Sequence, residues 1–291
     1  MRRKPAARDL ELQVRIGASL TLLIATAGAA VFGFFSLFRL RPGWWPLWTA
    51  IAILLVVALA GRYCAGRAAL LKRAGARLST DALLVELVKR ISSLADIPPP
   101  PLAISSAPVT NAFAVGWGRN RAVVVLTRPL CELLTQEELE AVGAHDVSHV
   151  ANRDALVMTM ATIPAAVGAE LTGTEGYGAY FWFFLWPVGA LLWGWSSVLT
   201  MALSRYRELA ADRGSALLTG APEQLMSALQ KLADGISKIP EADLRLAPGL
   251  EPLFIVPTRR RRIALLADHP PLAKRLDALA ALARELGRPV R

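Results

Sequence analysis

The middle of the 291-residue chain carries the sequence AHDVSHVANRD, at positions 144–154. It contains two of the chain's three histidines, His145 and His149, which are four residues apart. Side chains at i and i+4 share one face of an α-helix, so both imidazoles can reach the same metal ion. A surface pair without metal is the alternative, but the apolar neighbours predict a half-buried helix, where unliganded imidazoles are unfavourable. The spacing therefore predicts a metal site.

A mainly α-helical domain with a small β-sheet is predicted around this motif. The helix that carries the two histidines begins at a Thr-x-x-Glu capping box formed by Thr135 and Glu138 and continues through Ala151. Apolar residues at helical spacing predict the other helices, at residues 80–95, 203–218, 222–236 and 271–286. Short apolar runs predict strands at residues 102–105, 110–115 and 121–127, and a glycine-rich turn joins the last two.

Two acidic residues can complete the metal site. Zinc in a catalytic site takes three protein ligands and leaves one position for water, so a third ligand must come from elsewhere in the chain. Glu208 is the best candidate, and Asp212 lies four residues later on the same helical face. Ordinary ion pairs with neighbouring arginines are the alternative for these acids. The histidine pair favours Zn2+ bound by His145, His149 and Glu208, with Asp212 accepting an N–H from a ligand histidine.

Long uncharged runs predict membrane segments. Hydrophobic residues make up 54% of the chain, above the roughly 45–50% of a soluble domain, which excludes a disordered chain. Two runs before residue 66 are long enough to cross a bilayer core of roughly 30 Å. We therefore predict a membrane hairpin over residues 1–66 and a domain over residues 67–291. A second apolar hairpin is predicted as an insertion at about residues 155–203, with a buried or monotopic hairpin as the alternative.

The net charge of +10 is explained by membrane topology. Basic residues precede the first predicted span and follow the second, whereas the connecting loop offers only Arg39 and Arg41. The positive-inside rule then predicts that the N-terminus and the domain after Arg62 face the cytoplasm. Anionic lipid is the expected partner of this charge, and no nucleic-acid partner is predicted, because the run Arg259 to Arg262 is short and isolated.

Four motifs together resemble one known family. They are the histidine stretch at 144–154, the segment from Ser204 to Asp212, the strand Asn111-Ala112-Phe113-Ala114, and His269-Pro270-Pro271-Leu272. Together with the order of the apolar runs, they resemble the HtpX-type membrane zinc metalloproteases, relatives of the CAAX prenyl proteases. The resemblance covers nearly the whole chain. It implies an integral-membrane, zincin-like metalloprotease domain.

The resemblance also implies roles for individual residues and a biological setting. The strand Asn111, Ala112, Phe113 and Ala114 is expected to bind substrate beside the active site. His269 is expected to lie near the cleft and to steady the oxyanion, with a cap or turn before Pro270 as the alternative. The expected substrates are membrane proteins or unfolded polypeptides. They are cleaved for quality control at the cytoplasmic face of the bacterial inner membrane.

One residue departs from the family pattern. The zincin motif is H-E-x-x-H with glutamate as general base, and this chain has Asp146 at that position. Aspartate has the required chemistry but an arm shorter by about 1 Å, and misplacement of that order can cost about 10²-fold in rate. Three interpretations follow: a slow but active protease, a zinc-binding pseudo-protease or membrane-anchored binding protein, and an engineered inactivating change. A CAAX-type protease is a further hypothesis, disfavoured by the short chain.

Overall fold

The computed structural model describes residues 74–116, 119–158, 186–237 and 269–288, together with residues 161–162 and isolated positions between 14 and 72. The strands in these ranges are β1 (Arg77–Leu78), β2 (Leu102–Ser105), β3 (Ala112–Val115) and β4 (Val123–Thr127). The helices are α1 (Ala82–Leu94), α2 (Arg128–Leu133), α3 (Gln136–Ala151), α4 (Trp186–Thr219), α5 (Pro222–Ser237) and α6 (Leu272–Glu285). The predicted combination of helices with a small sheet is confirmed.

The sheet has the strand order β1-β2-β4-β3. Strand β4 is buried along its whole length and lies between β2, which runs parallel to it, and β3, which runs antiparallel. Its sequence Val-Val-Val-Leu-Thr suits a central strand that is covered on both faces. Strand β3 is therefore an edge of the sheet within the described residues. The three predicted strands are confirmed, whereas β1 is too short to show any periodicity in the sequence.

The sheet separates two apolar clusters, because successive strand residues point to opposite faces. Ala112, Val124 and Leu126 face the larger cluster, which also contains buried residues of α1, α3, α4, α5 and α6. Phe113 and Val125 face the smaller cluster on the other side, with Ala74 and Val109. The helices that carry the predicted metal ligands thus pack on one face of the sheet.

The start of α3 is fixed as its sequence predicts. The Thr135 hydroxyl accepts a hydrogen bond from the Glu138 amide, and the Glu138 carboxylate accepts one from the Thr135 amide, so the capping box is complete. Ser227 and Lys231 of α5 donate to the same carboxylate, at 2.6 and 2.8 Å. Burial alone would raise the pKa of Glu138, but these hydrogen bonds hold it below its usual value. The cap therefore also joins α3 to α5.

Small residues bring α3 and α4 close together. A Cβ atom built on Gly214 of α4 would lie 2.5 Å from Ser148 Oγ and 2.9 Å from Ser148 Cβ of α3. Next to it, the Ser215 hydroxyl donates to the Ala141 carbonyl at 2.6 Å. Because a side chain at position 214 would clash with Ser148, glycine lets the backbone of α4 pack directly against the Ser148 side chain of α3.

Replacing Gly214 with alanine is expected to lower stability. Ser148 cannot move away easily, since its hydroxyl already donates to the Ala144 carbonyl at 2.7 Å and its Cβ atom would still clash. Overpacking of this kind costs about 1–3 kcal/mol in the free energy of unfolding. Thermal unfolding of the purified protein would measure it. Gly194→Ala is the matched control, because a Cβ there meets no atom of the described residues within 4 Å. Equal melting temperatures for the two variants would contradict this packing argument.

The predicted membrane segments are only partly covered by the structure. The N-terminal hairpin at 1–66 and most of the insertion at 155–203 lie outside the described residues, apart from scattered positions. The predicted helix 203–218 is the second half of α4, which extends back to Trp186. Helix α4 is longer than the predicted helix because the residues of the apolar run from Trp186 to residue 202 are helical as well. Among the helices that the structure describes, none is long and apolar enough to cross a membrane.

Candidate metal centre

The three predicted ligands come together between α3 and α4. His145 and His149 lie on one face of α3, with their Nε2 atoms 3.1 Å apart and their rings nearly perpendicular, at 89°. Glu208 of α4 completes the group. Its Oε2 lies 3.7 Å from His145 Nε2, and its Oε1 lies 3.5 Å from His149 Nε2. All of the candidate ligand atoms lie within 4.8 Å of one another.

The Nδ1 atom of each histidine lies close to a carboxylate oxygen. Asp212 Oδ1 lies 3.0 Å from His145 Nδ1, and Asp154 Oδ2 lies 2.6 Å from His149 Nδ1. A proton on each Nδ1 would point at its carboxylate and leave the Nε2 lone pair directed at the centre. Burial lowers the pKa of His145, whereas the hydrogen bond to Asp154 raises the pKa of His149 despite burial. The carboxylates therefore set which nitrogen of each ring faces the ligand group.

The donor atoms fit a divalent metal ion. Adjacent ligand atoms in a tetrahedral site with bonds of about 2.0–2.1 Å are about 3.3 Å apart, close to the 3.1, 3.5 and 3.7 Å found here. With a proton on each Nδ1, the two Nε2 lone pairs at 3.1 Å repel each other unless a proton or a metal cation lies between them. Glu208 Oε2 is also buried, and its contact with His269 Nδ1, at 3.4 Å, is longer than a strong hydrogen bond. A cation would satisfy all three groups.

Asp146 lies beside this group on α3. The side chain is buried, and its Oδ2 atom has no hydrogen-bond partner among the described residues. Burial raises the pKa of the carboxyl to about 7, with the charge of Glu208 adding to the effect and His149 opposing it. A carboxyl with such a pKa can accept and release a proton near neutral pH.

The C-terminal motif, which begins at His269, also lies at the candidate metal centre. His269 is buried, and its Nδ1 lies 3.4 Å from Glu208 Oε2. The N-cap position of the following helix, α6, is taken by Pro271, and no side chain caps that helix. The structure therefore places His269 next to the candidate ligand Glu208 rather than in a capping role.

The predicted substrate strand is β3 with the residue before it. Asn111 is held to β4, since its amide donates to the Thr127 hydroxyl and its carbonyl accepts from that hydroxyl, both at 2.9 Å. Strand β3 packs against α3, and Arg119 of the β3–β4 connection donates to the Ala151 carbonyl at the end of α3. The Phe113 side chain is buried in the smaller cluster and does not face the edge of the sheet.

Three residues at the centre are not among the predicted site residues. Asp154 is five residues after His149, beyond the helical spacing that revealed the ligands. Arg207 forms an ion pair with it, Nε to Oδ2, at 3.2 Å. Arg275 binds Asp212 with two hydrogen bonds, although 63 positions separate the two residues in the chain. Contacts at such separations leave no pattern in a single sequence.

Two packed helices that bring two histidines and a glutamate together beside an edge strand form the active-site architecture of a metalloprotease. The profile of peptidase family M48 matches residues 79–283. The chain therefore belongs to peptidase family M48, which confirms the predicted resemblance to HtpX-type proteases. Membership in this family implies a metal cofactor and polypeptide substrates.

Relatives of similar length extend over almost the whole chain. Protease HtpX homolog 2 of Methanosarcina acetivorans is 36% identical over 298 residues, which cover 96% of this chain and 98% of the relative. Protease HtpX homolog of Moorella thermoacetica is 36% identical over 301 residues, 98% of both chains. The solved structure of S. mikatae Ste24p has a TM-score of 0.52 and 20% identity. That likeness covers 92% of this chain and 66% of that chain, and it concerns the fold alone.

Proposed function

We propose that the protein is a membrane-bound zinc endopeptidase that cleaves membrane or misfolded proteins at the cytoplasmic face of the bacterial inner membrane, as part of quality control. The observation that carries the proposal is the convergence of His145, His149 and Glu208 in a buried group of the size that zinc requires. The names of the HtpX relatives support proteolysis. No nucleic-acid partner belongs to this function.

Exposed apolar residues support the membrane location. The first half of α4 lies in the proposed insertion at 155–203 and carries large apolar side chains between 39% and 66% exposed: Trp186, Leu191, Trp193, Trp195 and Val198. Large apolar side chains exposed on more than one side of a helix are unfavourable in water and suit lipid. The proposed organisation is a membrane hairpin at 1–66 followed by the protease domain at 67–291.

The chain's own residues supply binding, orientation and proton transfer. When bound, zinc polarises the scissile carbonyl and lowers the pKa of a water molecule. Asp146 takes a proton from the attacking water and delivers it to the leaving amine. His269 stabilises the negative charge that develops on the carbonyl oxygen. Asp212 and Asp154 hold the ligand imidazoles in orientation.

The substrate is proposed to bind as an added strand. Strand β3 has no strand partner on its outer side among the described residues, and it packs beside α3, which carries Asp146. An extended peptide that pairs with the backbone of Asn111, Ala112, Phe113 and Ala114 would run along this helix. Recognition through backbone hydrogen bonds depends little on side chains and suits unfolded polypeptides.

Removal and return of metal test the proposal directly. The full chain, purified in detergent without chelators, is expected to contain about one zinc per chain and to cleave casein slowly. Treatment with 1,10-phenanthroline should stop cleavage, and added Zn2+ should restore it. Zinc without cleavage would support the zinc-binding pseudo-protease in which Asp146 is too short. Cleavage that survives complete removal of metal would contradict the proposed function.

A further inference from the structure

We propose that Arg275 is a positioning residue of the metal centre. It fixes Asp212, which orients the ligand His145, and so makes docking of the C-terminal helix α6 a condition for tight metal binding. The inference deepens the proposed function and rests on the metal site described there.

Arg275 and Asp212 form a buried, bidentate ion pair. Arg275 is only 2% exposed, and its Nε and Nη2 atoms donate to Asp212 Oδ2 and Oδ1 at 2.8 and 2.6 Å. A bidentate guanidinium–carboxylate pair fixes the plane of the carboxylate as well as its position. The oxygen bound by Nη2 is also the one that lies 3.0 Å from His145 Nδ1. The orientation of Asp212 toward the histidine is therefore set from α6.

The position of α6 is itself set by apolar packing. Leu279, Leu282 and Ala283 are buried and lie on the same face of the helix as Arg275. This face packs against α4 and α5. The position of α6 therefore determines, through Arg275, the position of the Asp212 carboxylate at the metal centre. The second orienting pair differs, because Arg207 belongs to α4 and its ion pair with Asp154 involves one described contact, Nε to Oδ2.

Positioning and simple electrostatics predict opposite effects on metal affinity. Arg275 Nη1 lies 3.9 Å from Glu208 Oε2, so its charge alone opposes a second cation at the site. If charge were its whole effect, removing Arg275 would strengthen metal binding. If it positions Asp212, removing it would weaken metal binding, because an outer-shell partner of a ligand is worth about 10–100-fold in metal affinity. The sign of the change separates the two roles.

The test measures Co2+ affinity by chelator competition, together with the visible spectrum of the bound Co2+, on the full-length protein in detergent. Arg275→Met is expected to weaken binding by about 10–100-fold and to alter the spectrum. Arg275→Lys keeps the positive charge but cannot form the two parallel hydrogen bonds of a guanidinium group. Its Co2+ affinity should therefore lie between that of Arg275→Met and that of the unaltered protein. Arg284→Met is the matched control, since Arg284 is exposed on the same helix and bonds only to the Ala280 carbonyl among the described contacts. It should change neither quantity.

A double variant keeps the test decisive if Arg275→Met folds poorly. Removing both charges in Arg275→Met/Asp212→Asn leaves no unpaired buried ion. Its affinity should be no lower than that of Asp212→Asn alone, because Arg275 then has no Asp212 carboxylate to position and its charge opposes a bound cation. Equal or tighter binding by Arg275→Met, or an equal loss with and without Asp212, would overturn the inference and leave the metal site standing. Absence of Co2+ binding by the unaltered protein would instead overturn the proposed function.

Discussion

Replacing His145 or His149 with alanine is expected to remove bound metal and to abolish peptide cleavage. Each imidazole supplies one of the three candidate ligand atoms that converge at the centre. The loss in metal affinity should exceed the roughly 100-fold cost of removing an outer-shell partner. Elemental analysis of the purified variants, with casein cleavage followed in the same samples, measures both effects.

Glu208→Gln extends this prediction to the third ligand. The amide keeps the size of the side chain but removes the charge that binds the cation, so metal and cleavage should again be lost. Glu285→Gln is the matched control, because Glu285 is exposed at the end of α6. Full metal content in either histidine variant, or in Glu208→Gln, would show that the metal binds elsewhere.

Asp146→Asn is expected to retain the metal and to lose about 10²–10⁴-fold in cleavage rate. The amide cannot accept the proton of the attacking water, and Asp146 is not one of the converging ligands. Asp146→Glu should raise the rate by as much as about 10²-fold, since the longer arm corrects a misplacement of about 1 Å. Single-turnover cleavage of one peptide by metal-loaded samples compares the three proteins directly.

The pH dependence gives a second signature of Asp146. A general base works only when ionised, so the rate must fall as the pH decreases through the pKa of its carboxyl. Burial raises that pKa to about 7 before any cation binds, and a bound cation would lower it. The acidic limb of the rate profile should therefore lie near or below neutrality and disappear in Asp146→Asn. An unchanged limb in that variant would assign the proton transfer to another group.

The centre of the site could be predicted because local rules govern it. The four-residue spacing of His145 and His149, and of Glu208 and Asp212, follows from the helical repeat alone. The capping box at Thr135 and Glu138 fixes where α3 starts, and the structure confirms it. These signals need only a few neighbouring residues. They identified two pairs of candidate site residues, whereas the meeting of the two pairs between α3 and α4 is a result of the tertiary fold.

The residues that orient the candidate ligands and space their helices could not be predicted, because their contacts arise from tertiary packing. Arg275 meets Asp212 only when α6 docks against α4, and Asp154 meets His149 only after the chain turns at the end of α3. The turn includes Arg153, whose φ of 58° lies in the left-handed region. The requirement for glycine at position 214 likewise becomes apparent only when Ser148 of α3 packs against it. None of these relations has a fixed spacing along the chain.

X-ray absorption at the zinc K-edge of the purified full-length protein tests the central claim most directly. We expect about one zinc per chain, with two imidazole nitrogens and carboxylate or water oxygen at about 2.0–2.2 Å and no sulfur. The signal should be lost in His145→Ala. Sulfur ligands at about 2.3 Å, which would point to the chain's cysteines, or zinc that survives in His145→Ala, would contradict the account.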